Sequence, residues 1–131
     1  MDAIILFDPE LRRHTEKSRK RGGHLFSKHR YLAAQLLAYV QDDLWLRNAR
    51  HANDAAMTLM DSLQSLGAKA AFAPQGNELF MHMTDELAGK LRDGGLVFRP
   101  WASIGPDAYR FVCAWNSPID VIRELPKTIA G

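Results

Sequence analysis

Arg19-Lys20-Arg21-Gly22-Gly23-His24-Leu25-Phe26-Ser27-Lys28-His29-Arg30 runs on through Tyr31-Leu32-Ala33-Ala34-Gln35 to Asp42-Asp43-Leu44-Trp45, and the breaks in this stretch set the organisation of the chain. The adjacent glycines 22 and 23 end any helix that reaches them. Upstream, Asp8 followed by Pro9 and Glu10 starts a helix, because aspartate accepts from exposed amides and proline's fixed φ suits the first helical position. That helix is predicted to reach about Arg21. A second, over about Leu25 to Gln41, carries Tyr31, Leu32, Gln35, Leu36 and Tyr39 at helical spacing. After Asp42-Asp43 comes a long amphipathic helix striped by Leu44, Ala52, Ala55, Ala56, Leu59, Leu63 and Leu66 and closed by Gly67. The alanines on the stripe imply close packing against a sheet. The two aspartates read as a helix junction favouring the positive end of the next helix, not as a catalytic pair.

On the N-terminal side, Ala3 to Phe7 is an unbroken apolar run without alternation, which reads as a strand buried on both faces. Such a strand belongs to a large sheet, and nothing else early in the chain supplies one, so sequence in front of it is expected to be missing. On the C-terminal side the pattern changes at Lys69. Short extended segments at about Lys69 to Ala73, Asn77 to Met83, Val97 to Trp101 and Tyr109 to Trp115 alternate with helices. Thr84 caps a helix through about Arg92 that Gly94-Gly95 ends, and Ser117-Pro118 starts a last helix predicted to stop near Leu125, before Pro126. Strand, strand, helix, strand, strand, helix behind a long helix gives an α+β fold: a small antiparallel sheet with helices on one face.

With 131 residues, 47% of them hydrophobic, the chain can bury one core plus an appendage. No apolar run is long enough to cross a bilayer and residues 1–7 lack a basic leader, so a soluble cytoplasmic protein is expected. Cys113, the single cysteine, lies between Val112 and Ala114, where a buried inert thiol is expected. Arg12, Arg13, Lys17, Arg19, Lys20, Arg21, Lys28 and Arg30 form a local basic patch that either solvates a helix face or meets nucleic acid, an acidic partner or a phosphate.

Two places carry candidate chemistry. Alternation along Tyr109 to Trp115 puts Tyr109, Phe111, Cys113 and Trp115 on one side and Arg110, Val112 and Ala114 on the other. An arginine among apolar neighbours calls for an anionic partner, either a bidentate ligand carboxylate or an acid of the fold such as Asp120 or Glu124. The turn Gly22 to Lys28 delivers Ser27 and Lys28 to a helix N-terminus, a place that suits an anion, although a lysine there is commonly just a surface residue. His14, His24, His29, His51 and His82 have no metal-binding spacing. Trp101 is read as core or interface, or as the border of a site together with the loop Ala102 to Asp107 that leads to Arg110.

The stretch from Arg19 to Trp45, together with Arg110 and its neighbours, resembles the threonine aldolases, pyridoxal-phosphate enzymes of the aspartate aminotransferase superfamily. The Leu25-Phe26-Ser27-Lys28 run is closest to the low-specificity branch. The resemblance implies that residues 1–43 are a large-domain strand and linking helices, and 44–131 the small C-terminal α+β domain. It implies Arg110 as the ligand of the amino-acid substrate's carboxylate, and Lys28 with Ser27 near the cofactor phosphate, a role that could shift to Arg30. The intact enzyme would cleave L-threonine or L-allo-threonine to glycine and acetaldehyde with pyridoxal 5'-phosphate as the electron sink. The resemblance also implies that the Schiff-base lysine lies in front of this chain, and none of Lys17, Lys20, Lys28, Lys69, Lys90 and Lys127 is expected to replace it, since all fall on polar faces or element ends. The chain alone is therefore expected to be inactive and without covalently bound cofactor, with the large domain as its partner and a homo-oligomer as its assembly. The rival reading is a noncatalytic binding or dimerisation module in which the basic helix meets nucleic acid or an acidic protein. Against nucleic acid, no aromatic side chains interleave with the charges.

Overall fold

A computed structural model describes residues 4 to 130. The chain divides into two compact units, Met1–Trp45 and Leu46–Gly131. In the first unit, α1 (Pro9–Arg21) opens as its sequence demands, with Asp8 Oδ1 accepting from the Glu10 amide at 2.8 Å. Gly22 closes the helix and Gly23, at φ 72°, turns the chain through the left-handed region that glycine tolerates. The second helix, α2 (His29–Val40), starts four residues later than the predicted Leu25. The His29 ring explains the delay: its Nε2 accepts from the Phe26 amide at 3.0 Å and lies 2.9 Å from the donor Arg19 Nη2, tying the turn back to the end of α1. Gln41–Asp43 form one 3-10 turn, and Asp42 and Asp43 take φ of 53° and 56°, so the expected junction is a left-handed kink.

The strand predicted at Ala3 to Phe7 does not form. Ala3 lies outside the described residues, and Ile4 to Phe7 are irregular, with Ile4, Ile5 and Phe7 exposed, Phe7 at 92%. A strand exists only as part of a ladder, and among the described residues nothing pairs with this one. No described residue of α1 or α2 is buried, and only His29, Leu32 and Leu36 among them are half-buried.

The second unit has the α+β architecture expected. Strands β1 (Lys69–Ala70), β2 (Glu78–His82), β3 (Arg99–Pro100) and β4 (Ala108–Val112) form an antiparallel sheet in the order β1-β2-β4-β3. Each is shorter than predicted. One face is covered by α3 (Leu44–Ser65), α4 (Asp85–Asp93) and α5 (Ile119–Ala130), so that Ala55, Ala56, Leu59, Leu63, Ala88, Leu91 and Leu125 meet Leu79, Met81, Tyr109, Phe111 and Cys113. Alanines 55, 56 and 88 are fully buried, and their small size lets the helices approach the sheet closely. Thr84 Oγ1 accepts from the Leu87 amide and caps α4, and Gly67 ends α3 at φ 95°.

The last helix overruns the stop predicted at Pro126. A proline inside a helix removes the amide that would bond to the carbonyl four residues back, here Ile122. Ser62 Oγ on α3 donates to that carbonyl at 2.9 Å. The orphaned acceptor is thereby satisfied by a neighbouring helix, and α5 continues to Ala130.

Candidate functional site

Strand alternation that buries Tyr109, Phe111 and Cys113 turns Arg110 onto the opposite face, which no helix of this unit covers. The sides of β4 are thus as predicted through Cys113. Trp115 falls beyond the strand end and is exposed. Antiparallel register puts Phe80 directly opposite Arg110, with Glu78 diagonal to it. Glu78 takes Arg110 bidentately: Arg110 Nε donates to Oε2 at 3.2 Å and Nη2 to Oε1. The Arg110 guanidinium also lies over the Trp101 ring, 5.4 Å from its centroid. Trp101 in turn meets Phe80 edge-on at 5.7 Å, and Phe80 meets Phe72 at 5.1 Å. Beside this aromatic row is a groove of about 600 Å³ lined by Phe72, Pro74, Gln75, Asn77, Glu78 and Phe80 among others.

The acids named from sequence as fold partners of Arg110 are engaged elsewhere, Asp120 with Arg123 and Glu124 with Lys127, each three residues away on α5. Glu78 was missed, although its place at the head of a Glu-x-Phe-x-His alternation held the signal: the same period that puts Arg110 on the open face puts Glu78 there too. Trp101 belongs to the border of this face and not to the core.

Side-on pairing uses the Nε and one Nη2 hydrogen of Arg110. A guanidinium carries five N–H groups, so the end formed by Nη1 and the rest of Nη2 keeps three donors in the geometry that suits a second carboxylate. The pair is half exposed, with side-chain exposures of 30% for Arg110 and 42% for Glu78, so an incoming ligand reaches it without rearrangement of the sheet.

The hydrogen bonds from Arg110, followed by its charge, hold the Glu78 carboxyl below the ordinary value of 4.5, against the opposing effect of burial. A carboxyl whose pKa is lower folded than unfolded stabilises the fold above the unfolded value, and loses that contribution as pH falls through the depressed one. The Glu78→Gln chain is therefore expected to unfold at lower urea concentration than the parent at about pH 7, with a smaller gap at about pH 3. An equal gap at both would contradict the ion pair. At the far end of the same strand His82 Nδ1 meets Asp107 Oδ1 at 2.9 Å, a bond that lowers the Asp107 pKa. On the buried face Tyr109 donates to Asp85 Oδ1 at 2.8 Å, which raises the phenol's pKa, and burial raises that of the Cys113 thiol. Such a thiol is a poor nucleophile.

Ser27 and Lys28 sit side by side in the exposed turn ahead of α2, in the other unit from Arg110. Lys28 is the N-cap of α2 and gives it no side-chain cap. A hydroxyl, an ammonium and a helix N-terminus held by the His29 clasp match the donor set a phosphate ester requires. A carbonyl cofactor also needs a lysine shielded from water, and all six lysines are exposed. The described residues thus fit the phosphate end of pyridoxal phosphate and not its aldehyde end. In the basic patch, Arg12 pairs with Glu16, Arg13 with Glu10, and Arg19 with the His24–His29 turn. Among the described residues no group of three or more histidine, cysteine, aspartate or glutamate side chains could hold a metal, and no helix is long and apolar enough to cross a membrane.

No protein-family model matches the chain. It is 34% identical over 129 residues to the low specificity L-threonine aldolase of Pseudomonas aeruginosa, and 32% identical over 129 residues to that of a Pseudomonas species. Each match covers 98% of this chain and 37% of the relative, so the chain spans little more than a third of the proteins it resembles. The fold is that of part of a solved threonine aldolase from Leishmania major, at a TM-score of 0.74 and 20% identity over 94% of this chain and 35% of the other. Almost the whole of this sequence is thus related to a stretch of the low specificity L-threonine aldolases, as the run from Arg19 to Trp45 led us to expect.

Proposed function

We propose that this chain is the C-terminal part of a pyridoxal-phosphate-dependent L-threonine aldolase, with residues 1–43 linking to the large domain and residues 44–131 forming the small one. In the working enzyme Arg110 binds the carboxylate of the amino-acid substrate. The observation that carries this reading is the place of Arg110: on the one uncovered face of the sheet, stacked on Trp101, with the end of its guanidinium open. Similarity over 98% of the chain to two threonine aldolases supports it. Ser27 and Lys28 would bind the cofactor phosphate. Pyridoxal phosphate, when bound, accepts the electrons released as the Cα–Cβ bond of the substrate breaks. The chain's own part is to fix the carboxylate, and so the orientation of that bond, at a site partnered by the large domain in a homo-oligomer of soluble enzyme.

The lysine that links the cofactor comes from outside these residues in this reading, since none of the six here is shielded. The purified 131-residue chain given pyridoxal phosphate and L-threonine is therefore expected to form no acetaldehyde above the rate of free cofactor, as read by a coupled dehydrogenase assay. Turnover abolished by substituting any one of the six lysines would overturn this.

A further inference from the structure

The Arg110–Glu78 pair raises a problem of charge. Arg110 offers a ligand the right geometry, but its single positive charge is already matched by Glu78, so the pair as a whole is neutral. A second carboxylate at the open end of the guanidinium would meet the Glu78 carboxylate as a like charge across one small group.

The register of β3 supplies what is missing. Arg99 is the cross-strand partner of Arg110, which places both side chains on the same face of the sheet. Arg99 is exposed, and its side chain has no hydrogen bond or ion pair among the described residues. Like charges directly opposite one another on paired strands are unfavourable, and Glu78 offsets only one of the two. Trp101, just past the end of β3 and two residues on from Arg99, lies against Arg110, so a side chain from this edge of the sheet does reach that group.

We propose that Arg99 is the second cation of the carboxylate site. Glu78 and Trp101 hold the Arg110 guanidinium with its end outward, and Arg99 gives the cluster the net positive charge that a monocarboxylate requires. This inference rests on the reading of Arg110 as a carboxylate ligand and adds to it a residue that acts by charge rather than by a fixed fork.

The test uses acetate as the probe, added at constant ionic strength to the 15N-labelled 131-residue chain while the Arg110 Nε–H signal is followed. The parent is expected to show a saturable shift. Arg99→Gln should weaken binding about fivefold, the scale of a half-exposed charge contact, and Arg99→Lys should restore it. Lys69→Gln makes the same change of charge on the same face, on the strand at the opposite edge, and should leave binding unaltered. Arg99→Gln binding acetate as tightly as the parent, read from the same saturable shift of the Arg110 signal, would overturn the role of Arg99 and leave that of Arg110 standing. Equal losses in Arg99→Gln and Lys69→Gln would also overturn it, by showing a diffuse charge effect. The absence of any saturable shift in the parent would overturn both readings.

Discussion

Arg110→Gln is expected to lower kcat/KM for L-threonine by about a hundredfold or more in a graft where this chain replaces the matching stretch of the Pseudomonas aeruginosa enzyme. Two effects combine. On the proposed reading the substitution removes the charged bidentate contact to the substrate carboxylate, and it leaves Glu78 without its Arg110 partner at the place where that carboxylate would arrive. The carboxylate takes no part in the bond that breaks, so much of the loss should appear as a higher KM, with a fall in kcat to the extent that the substrate is misoriented. The double variant Glu78→Gln, Arg110→Gln should recover part of the loss, because it removes the repelling charge. Steady-state kinetics on the graft, the single variants Glu78→Gln and Arg110→Gln and the double variant form the cycle that separates the terms. A graft indifferent to Arg110 would remove the clamp from the account.

The second large effect is on stability. Leu63 is fully buried where α3 crosses the sheet, within the cluster that includes Leu59, Leu79, Met81 and Leu91. Leu63→Ala is expected to destabilise the second unit by about 2–5 kcal/mol, the transfer cost of the lost methyl groups plus the cavity they leave. A unit of this size has about 5–10 kcal/mol in all, so the urea midpoint should fall by about a fifth or more. Leu37→Ala, at an exposed position of α2, is the control and should change the midpoint little. Similar effects at the two positions would mean that the core is not where the sheet and helices place it.

Much of this fold was legible because its signals are local. Asp8-Pro9, the double glycines, Thr84 and the alanine stripe each act within a turn or two of chain, and α1, α3 and α4 lie where those residues put them. Two of the errors have a different origin, a partner distant in sequence, and the third is a side-chain clasp that the local composition does not announce. Ala3 to Phe7 has the composition of a buried strand, but pairing is a property of two segments, and among the described residues nothing pairs with Ile4 to Phe7. Pro126 should end α5, yet Ser62, some sixty residues away, accepts the consequence by donating to the Ile122 carbonyl. His29 shortens α2 by clasping a turn whose composition alone suggests helix. The candidate site shows the same division. Alternation placed Arg110 on the open face, whereas its partner Glu78, its stacking ring Trp101 and its neighbour Arg99 follow from the register of three strands, which no single segment encodes.

The central claim is that these residues work as the carboxylate-binding part of a threonine aldolase, and the graft itself tests it most directly. Joined to the rest of the Pseudomonas aeruginosa enzyme and loaded with pyridoxal phosphate, the chain should support acetaldehyde release from L-threonine that depends on Arg110. A graft that folds and takes up the cofactor yet releases none, or releases it equally well with glutamine at 110, would contradict the claim.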